Sequence, residues 1–314
     1  MSNHPLFSRL AARILQILVG LTLLTVLLSR VDFQELRRTL GNMDQTLLLW
    51  AFLSFAVMIL LDGVRIAIAF RSYSLSLPAA SKVNLVGLFL ANFTPGMVGA
   101  ELYRVYFANR LRKGLLQPIT LAAAIRGIGM LTMLGLAALY VALSFRRLST
   151  VLAVPLLEVD PGRLKLLGGA LLFLPLLALL LLLPASRLRS RVFGLLGRMR
   201  EVLQQLGFRA IAALVLVSSL MTAASCVSLH LLLRSLDTGA FLPDMILVTA
   251  FLTFASFLPI SFGGLGVREG AIVLSLAAFG VASPQALTVA LLNRVFLWAL
   301  ALVGGILFLA ARIR

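Results

Sequence analysis

Apolar and polar residues follow one another along this chain in long blocks. The first apolar run is Ile14 to Ser29, preceded by Arg9 and Arg13. No small-residue cleavage site follows it, so it reads as a membrane span with its start inside. Residues 31–44 are short and amphipathic, with Asp32, Glu35 and Asp44 against Arg30, Arg37 and Arg38, which suits a helix on the outer surface. A second span, Leu47 to Phe70, returns inside beside Arg65, Arg71 and Lys82. Val83 to Thr94 is then only twelve residues and stops at Pro95-Gly96. That is too short to cross ~30 Å of hydrocarbon as a helix. Both of its flanks are basic, so the spacing predicts a re-entrant hairpin that enters and leaves on the inner side.

Pro118 opens the next span, which runs to Phe145 and carries Arg126 in its middle. A mixed-charge outer loop over 146–165 and a span over 166–183 follow. The 184–209 segment holds six arginines against Glu201, the strongest inside signal in the chain. Its apolar residues recur at helical spacing, as in a helix lying along the membrane. Ile211 to Leu233 goes out again, marked by Asp237 and Asp244. Met245 to Leu258 is a second short piece, broken at Pro259 and followed by ISFGGLGVREG and Ala271 to Ala282. This predicts a second re-entrant hairpin, entering from outside. Pro284 opens the last span, which ends at Arg312 and Arg314 inside. The expected fold is an all-α polytopic membrane protein, one domain over 1–314, with about six full spans, two re-entrant hairpins and both termini cytoplasmic.

Composition narrows the class. Hydrophobic residues make up 61% of the 314 and charged residues only 12%, about half the charge of an ordinary soluble domain. Soluble enzyme, disordered regulator and secreted disulfide scaffold are excluded. The net charge of +17 reflects cytoplasmic loops facing anionic headgroups and does not call for nucleic acid. The single cysteine, Cys226, can form no intramolecular disulfide.

The two broken regions share an order of features. The first has Pro95, Gly96, Gly99, Glu101, Pro118 and Arg126. The second has Pro259, Gly263, Gly264, Gly266, Glu269, Pro284 and Arg294. Glu101 to Arg126 and Glu269 to Arg294 are both 25 residues apart. Hairpins entering from opposite sides make this an inverted repeat, with halves near 47–146 and 210–314. Interrupted segments at matching places in two halves mark the binding site of a transporter. The chemistry agrees: a broken helix offers N–H groups to an anion, glycine allows close approach, and arginine pairs with phosphate or carboxylate.

Ionisable side chains inside spans are costly and therefore candidates for function. Here they are Asp62, Arg65, Glu101, Arg104, Arg126, Arg268, Glu269 and Arg294. Asp62 and Arg65, three apart on one helix, are expected to pair locally. A network across the repeat, joining Arg126 and Arg294 to Glu101 and Glu269, is the simplest way to satisfy these four, and such a network is compatible with a binding site. His230 is expected to pack. Asn92 and Asn293 are expected to hydrogen-bond between helices, and Phe89, Phe93, Phe251, Phe254 and Phe257 to pack. No G-x-S-x-G, H-E-x-x-H or Walker motif is present, and two isolated histidines build no metal centre. Neither enzyme activity nor a cofactor or metal is expected.

At these residues the chain resembles the flippase-like membrane domain of lysylphosphatidylglycerol synthases and its stand-alone relatives. One motif is Pro95, Gly99, Ala100, Glu101 and Arg104. The other is Pro259, Gly263, Gly264, Gly266, Arg268, Glu269 and Gly270, with Arg294 further on. Family members often carry an acid before the arginine matching Arg126, where this chain has Ile125. The resemblance implies handling of a lipid with a polar head, either a phospholipid or a lipid of hopanoid or polyprenyl-linked pathways. No aminoacyl-transferase domain follows the last span, so synthesis of the aminoacylated lipid is not expected. The expected function is an inner-membrane lipid translocase, passive or ion-coupled, that holds an anionic or aminoacylated headgroup between the hairpins. Arg104, Arg126, Arg268 and Arg294 would supply positive charge, with Glu101 and Glu269 orienting them. The alternatives are a secondary transporter of a small anion and a non-transporting partner of a separately encoded lipid-modifying enzyme. Membrane lipids are the expected partners.

Overall fold

The computed structural model of the chain describes residues 41, 43–112, 114–145, 147–148, 187–257 and 261–312. The span predicted at 14–29, most of the surface helix predicted at 31–44, nearly all of the outer loop at 146–165, the span at 166–183 and Pro259 lie outside the described residues. Among the described residues there are eight α-helices and no β-strand. They are α1 (Gln45–Ala69), α2 (Leu77–Ala91), α3 (Gly99–Leu111), α4 (Leu116–Leu143), α5 (Arg187–Arg234), α6 (Met245–Phe257), α7 (Val267–Ala278) and α8 (Ser283–Arg312).

Local chemistry sets most of these ends. Asp44 caps α1, its Oδ1 accepting from the backbone N–H of Thr46 at 2.8 Å and of Leu47 at 3.2 Å. Pro78 sits in the first turn of α2, where its missing N–H costs no helical bond. That turn starts the helix six residues before the Val83 expected from hydropathy, and Lys82 becomes part of it. Gly207, at φ 74° and ψ 160°, breaks α5 into two helical stretches. The arginine-rich segment before it is therefore helical, as its periodicity predicts.

Four stretches are long and apolar enough to cross a membrane: Gln45–Ala69, Leu116–Leu143, Arg200–Arg234 and Ser283–Ala310. They correspond to four of the six predicted spans. The helices α2, α3, α6 and α7 have 15, 13, 13 and 12 residues. At ~1.5 Å per residue none reaches the ~30 Å needed to cross. The order is long, short pair, long, and then the same again. Large apolar side chains stand outward on the long helices, among them Leu49, Leu53, Leu60, Leu302, Ile306 and Leu309.

Helix packing uses small residues and hydroxyls. α1 lies along α5. Ser54 Oγ donates to Ala224 O at 2.9 Å, and Ser228 Oγ to Ala51 O at 2.8 Å. α8 lies along α2, where a Cβ on Gly304 would come within 1.9 Å of Leu85 O. The buried apolar residues form two clusters. On α1 one cluster ends at Ile59 and the other starts at Ile66; on α5 one ends at Leu214 and the other starts at Cys226. The polar residues of interest fall in the interval between them.

Candidate functional site

Each short-helix pair is joined by backbone that most residues avoid. Gly96 and Met97 have φ of 59° and 55°, and Gly263, Gly264 and Gly266 have φ of 58°, 68° and 74°. The two breaks meet. Pro95 and Phe262 form an antiparallel β-bridge, and Gly263 N donates to Thr94 O at 3.1 Å. A Cβ on Gly263 would lie 2.7 Å from Asn92 O, so glycine is required there by contact as well as by conformation. At the other break, Gly99 N donates to Thr94 Oγ1 at 2.7 Å, and a Cβ on Gly99 would lie 2.6 Å from Leu90 O.

Both glutamate–arginine intervals close as ion pairs, each within its own half: Arg126 with Glu101, and Arg294 with Glu269. The expected network across the halves is therefore corrected to two internal pairs. Their settings differ. Glu269 and Arg294 are buried, with side-chain exposures of 2% and 4%. Glu269 Oε2 also accepts from Gly266 N at 2.8 Å, closing the first turn of α7. Arg294 donates to Gly263 O at 2.8 Å and to Gly264 O at 2.9 Å. This pair braces the second break and does not reach the cavity described next.

That cavity, of about 300 Å³, lies beside the meeting point of the breaks and takes walls from all eight helices. Its charged residues are Asp62, Arg65, Glu101, Arg104, Arg126 and Arg268. Asp62 is shared by Arg65 and by Arg104, the latter at 2.6 Å. Arg104 also donates to Asn84 Oδ1 at 2.8 Å, and Asn84 Nδ2 donates to Ile59 O at 2.9 Å. Arg126 meets Glu101 at 3.1 Å and stacks over the Phe257 ring at 4.0 Å, joining the first half to the second. Arg268 Nη1 donates to Ser256 Oγ at 2.7 Å, and among the described residues no carboxylate pairs with it. Glu101 Oε2, Arg104 Nε and Ser218 Oγ are buried on this wall without a hydrogen-bond partner among the described residues. Buried polar atoms of this kind ordinarily find a partner.

The predicted site residues thus separate. Glu101, Arg104, Arg126 and Arg268 line the cavity. Glu269 and Arg294 form the brace. Pro95, Gly96, Gly99, Gly263, Gly264 and Gly266 shape the two breaks. The Asp62–Arg65 pair forms as expected and also holds Arg104. Asn92 donates to Leu88 O in its own helix, not to a neighbouring one, while Asn293 lines the cavity. Phe89 packs edge-on against Phe93, and His230 stays off the cavity wall.

Other wall residues were not singled out from the sequence. Asn84 is one. Ser218, Thr222 and Ser225 on α5, and Thr249, Thr253 and Ser256 on α6, are two more groups. Each trio follows i, i+4, i+7, a polar stripe on an otherwise apolar helix, which is the signal that finds them. Met58, Met97, Met130, Met133 and Met221 also line the wall, five of the chain's nine methionines.

Long apolar helices, paired short helices and a cavity with charged side chains on its wall define a multi-pass helical membrane protein. The Lysylphosphatidylglycerol synthase TM region family matches residues 13–305, and the chain belongs to that family. This places it among membrane proteins related to lipid handling. No curated protein gives a match.

Proposed function

We propose that the protein is a lipid translocase of the bacterial inner membrane that holds a polar headgroup in this cavity. In this reading the two half-helix pairs are re-entrant hairpins entering from opposite faces, the halves form an inverted repeat, and both termini are cytoplasmic. The carrying observation is the cavity: four arginines and two carboxylates around about 300 Å³, at the junction of two broken helices. Ligand pockets run from roughly 300 to 1,000 Å³, so this one suits a headgroup whose acyl chains stay in the bilayer. Methionine side chains reshape at low cost, which suits a wall swept by chains of varied length.

The carboxylates have a clear part in such a cycle. A bare arginine inside a membrane is unstable, so Asp62 and Glu101 hold Arg65, Arg104 and Arg126 while the cavity is empty. An arriving phosphate takes over guanidinium donors from the carboxylate, and Glu101 Oε2 can accept from a headgroup hydroxyl or ammonium. Arg126 touches Glu101 of one half and Phe257 of the other, so its exchange of partners is felt by both.

The test is translocation of fluorescent-headgroup phospholipids in proteoliposomes. Glu101→Gln and Arg126→Ala are each expected to lose at least about tenfold in rate with folding preserved, the scale of one charge-assisted hydrogen bond. Rates equal to the wild type in both variants would overturn the assignment of the headgroup to this cavity.

A further inference from the structure

Fixed charge in the cavity constrains the charge of what enters it. Among the described residues the wall carries four arginines and two carboxylates, an excess of two positive charges. Glu269, next to Arg268 in sequence, offers no relief, because its carboxylate is engaged by Arg294 and Gly266 N. Arg268 is the exceptional cation. Its Nη1 is oriented by Ser256 Oγ at 2.7 Å and Met97 Sδ at 3.8 Å. Ser256 donates its own proton to Leu252 O, which leaves its oxygen as an acceptor for the arginine. The Nε and Nη2 edge of Arg268 makes no hydrogen bond among the described residues. That edge is the planar fork that grips two oxygens of one phosphate. The fold makes room for it: a Cβ on Gly264 would lie 3.0 Å from Arg268 Cγ and Cδ.

We infer that the cavity selects a doubly charged phosphate, a phosphomonoester or a diphosphate esterified at both ends, over the singly charged phosphodiester of common phospholipids, with Arg268 as the selecting residue. The inference rests on the headgroup reading above. A dianion cancels the excess of two charges. A phosphodiester leaves one charge uncompensated, and a zwitterion leaves two. A phosphomonoester reaches its second charge above a pKa of about 6, so the preference depends on pH.

The experiment uses the full chain in phosphatidylcholine nanodiscs doped equally with phosphatidic acid and phosphatidylglycerol, with retained lipid counted by native mass spectrometry. At pH 8 phosphatidic acid is expected to exceed phosphatidylglycerol by about tenfold, and at pH 5 the ratio is expected to fall toward one. Arg268→Gln is expected to collapse the pH 8 ratio, because phosphatidic acid retention falls several-fold more than phosphatidylglycerol retention. Equal retention of the two lipids by the wild type at pH 8, or a ratio untouched by Arg268→Gln, would overturn the inference and leave the headgroup reading standing. A parallel arm adds inorganic phosphate. Stabilisation by inorganic phosphate, a dianion at pH 8, with neither lipid retained keeps the dianion and overturns the lipid source. Binding of no probe overturns both. The wild-type ratio and its pH dependence decide the matter even where a variant fails to fold.

Discussion

Glu101–Arg126 and Glu269–Arg294 share a spacing of 25 residues, and each joins a short helix to the long helix after it, yet they occupy opposite environments. The second is sealed, with every named donor committed to the loop it braces. The first stands at a cavity wall, its side chains 22% and 25% exposed, with one carboxylate oxygen unpartnered. The cause is a difference in packing. α8 lies closely along α2, through Gly304 and Gly305, whereas α4 meets α6 over a shorter stretch. Near the end of α4, Tyr140 donates to Asp244, and Arg147 reaches the other Asp244 oxygen at 3.1 Å while covering the Phe241 ring at 3.5 Å. Farther along α4, Gly129, Met130 and Met133 line the cavity, as do Thr249, Thr253 and Ser256 of α6. One motif thus serves as a brace at one break and as part of a cavity wall at the other.

The sharpest way to break this comparison is to cut each pair. Glu269→Ala or Arg294→Ala strands a buried charge, with an expected loss of about 3–5 kcal/mol, read as a collapse of folded yield and of melting temperature in detergent. Gly263→Ala, which forces a Cβ against Asn92 O at a positive φ, is expected to cost about 1–3 kcal/mol in the same assay. Tyr140→Phe removes one hydrogen bond to Asp244 and is expected to cost about 1 kcal/mol. Its more telling readout is the native thiol. Cys226 is buried beside the cavity residue Ser225, and faster maleimide labelling of it would mark the parting of α4 from α6. Glu101→Gln is expected to lower stability less than Glu269→Gln does, since its pair is 22% and 25% exposed against 2% and 4%, while slowing translocation at least about tenfold. Equal stability losses in Glu101→Gln and Glu269→Gln would erase the distinction between wall and brace.

Much of the architecture was legible in the sequence. Hydropathy and basic flanks located the four described spans, and proline with clustered glycine located both breaks. The Glu–Arg interval pointed to partners, but within each half and not across. Local spacing could not tell which pair would be sealed, because that depends on how closely a helix from the other half approaches. Asn84 escaped notice because Lys82 placed it near a boundary, and helix α2 in fact begins earlier, at Leu77. The hydroxyl trios on α5 and α6 were readable by their helical interval. Their shared destination was not, since the two helices converge only in the folded chain.

The β-bridge between Pro95 and Phe262 has a mechanical consequence. Backbone hydrogen bonds are directional and resist sliding, so the two breaks are expected to move together, as a hinge pin couples two plates. In a protein that exposes one cavity to two sides, such a pivot would let the opening on one face drive the closing on the other, with no separate gate to synchronise them.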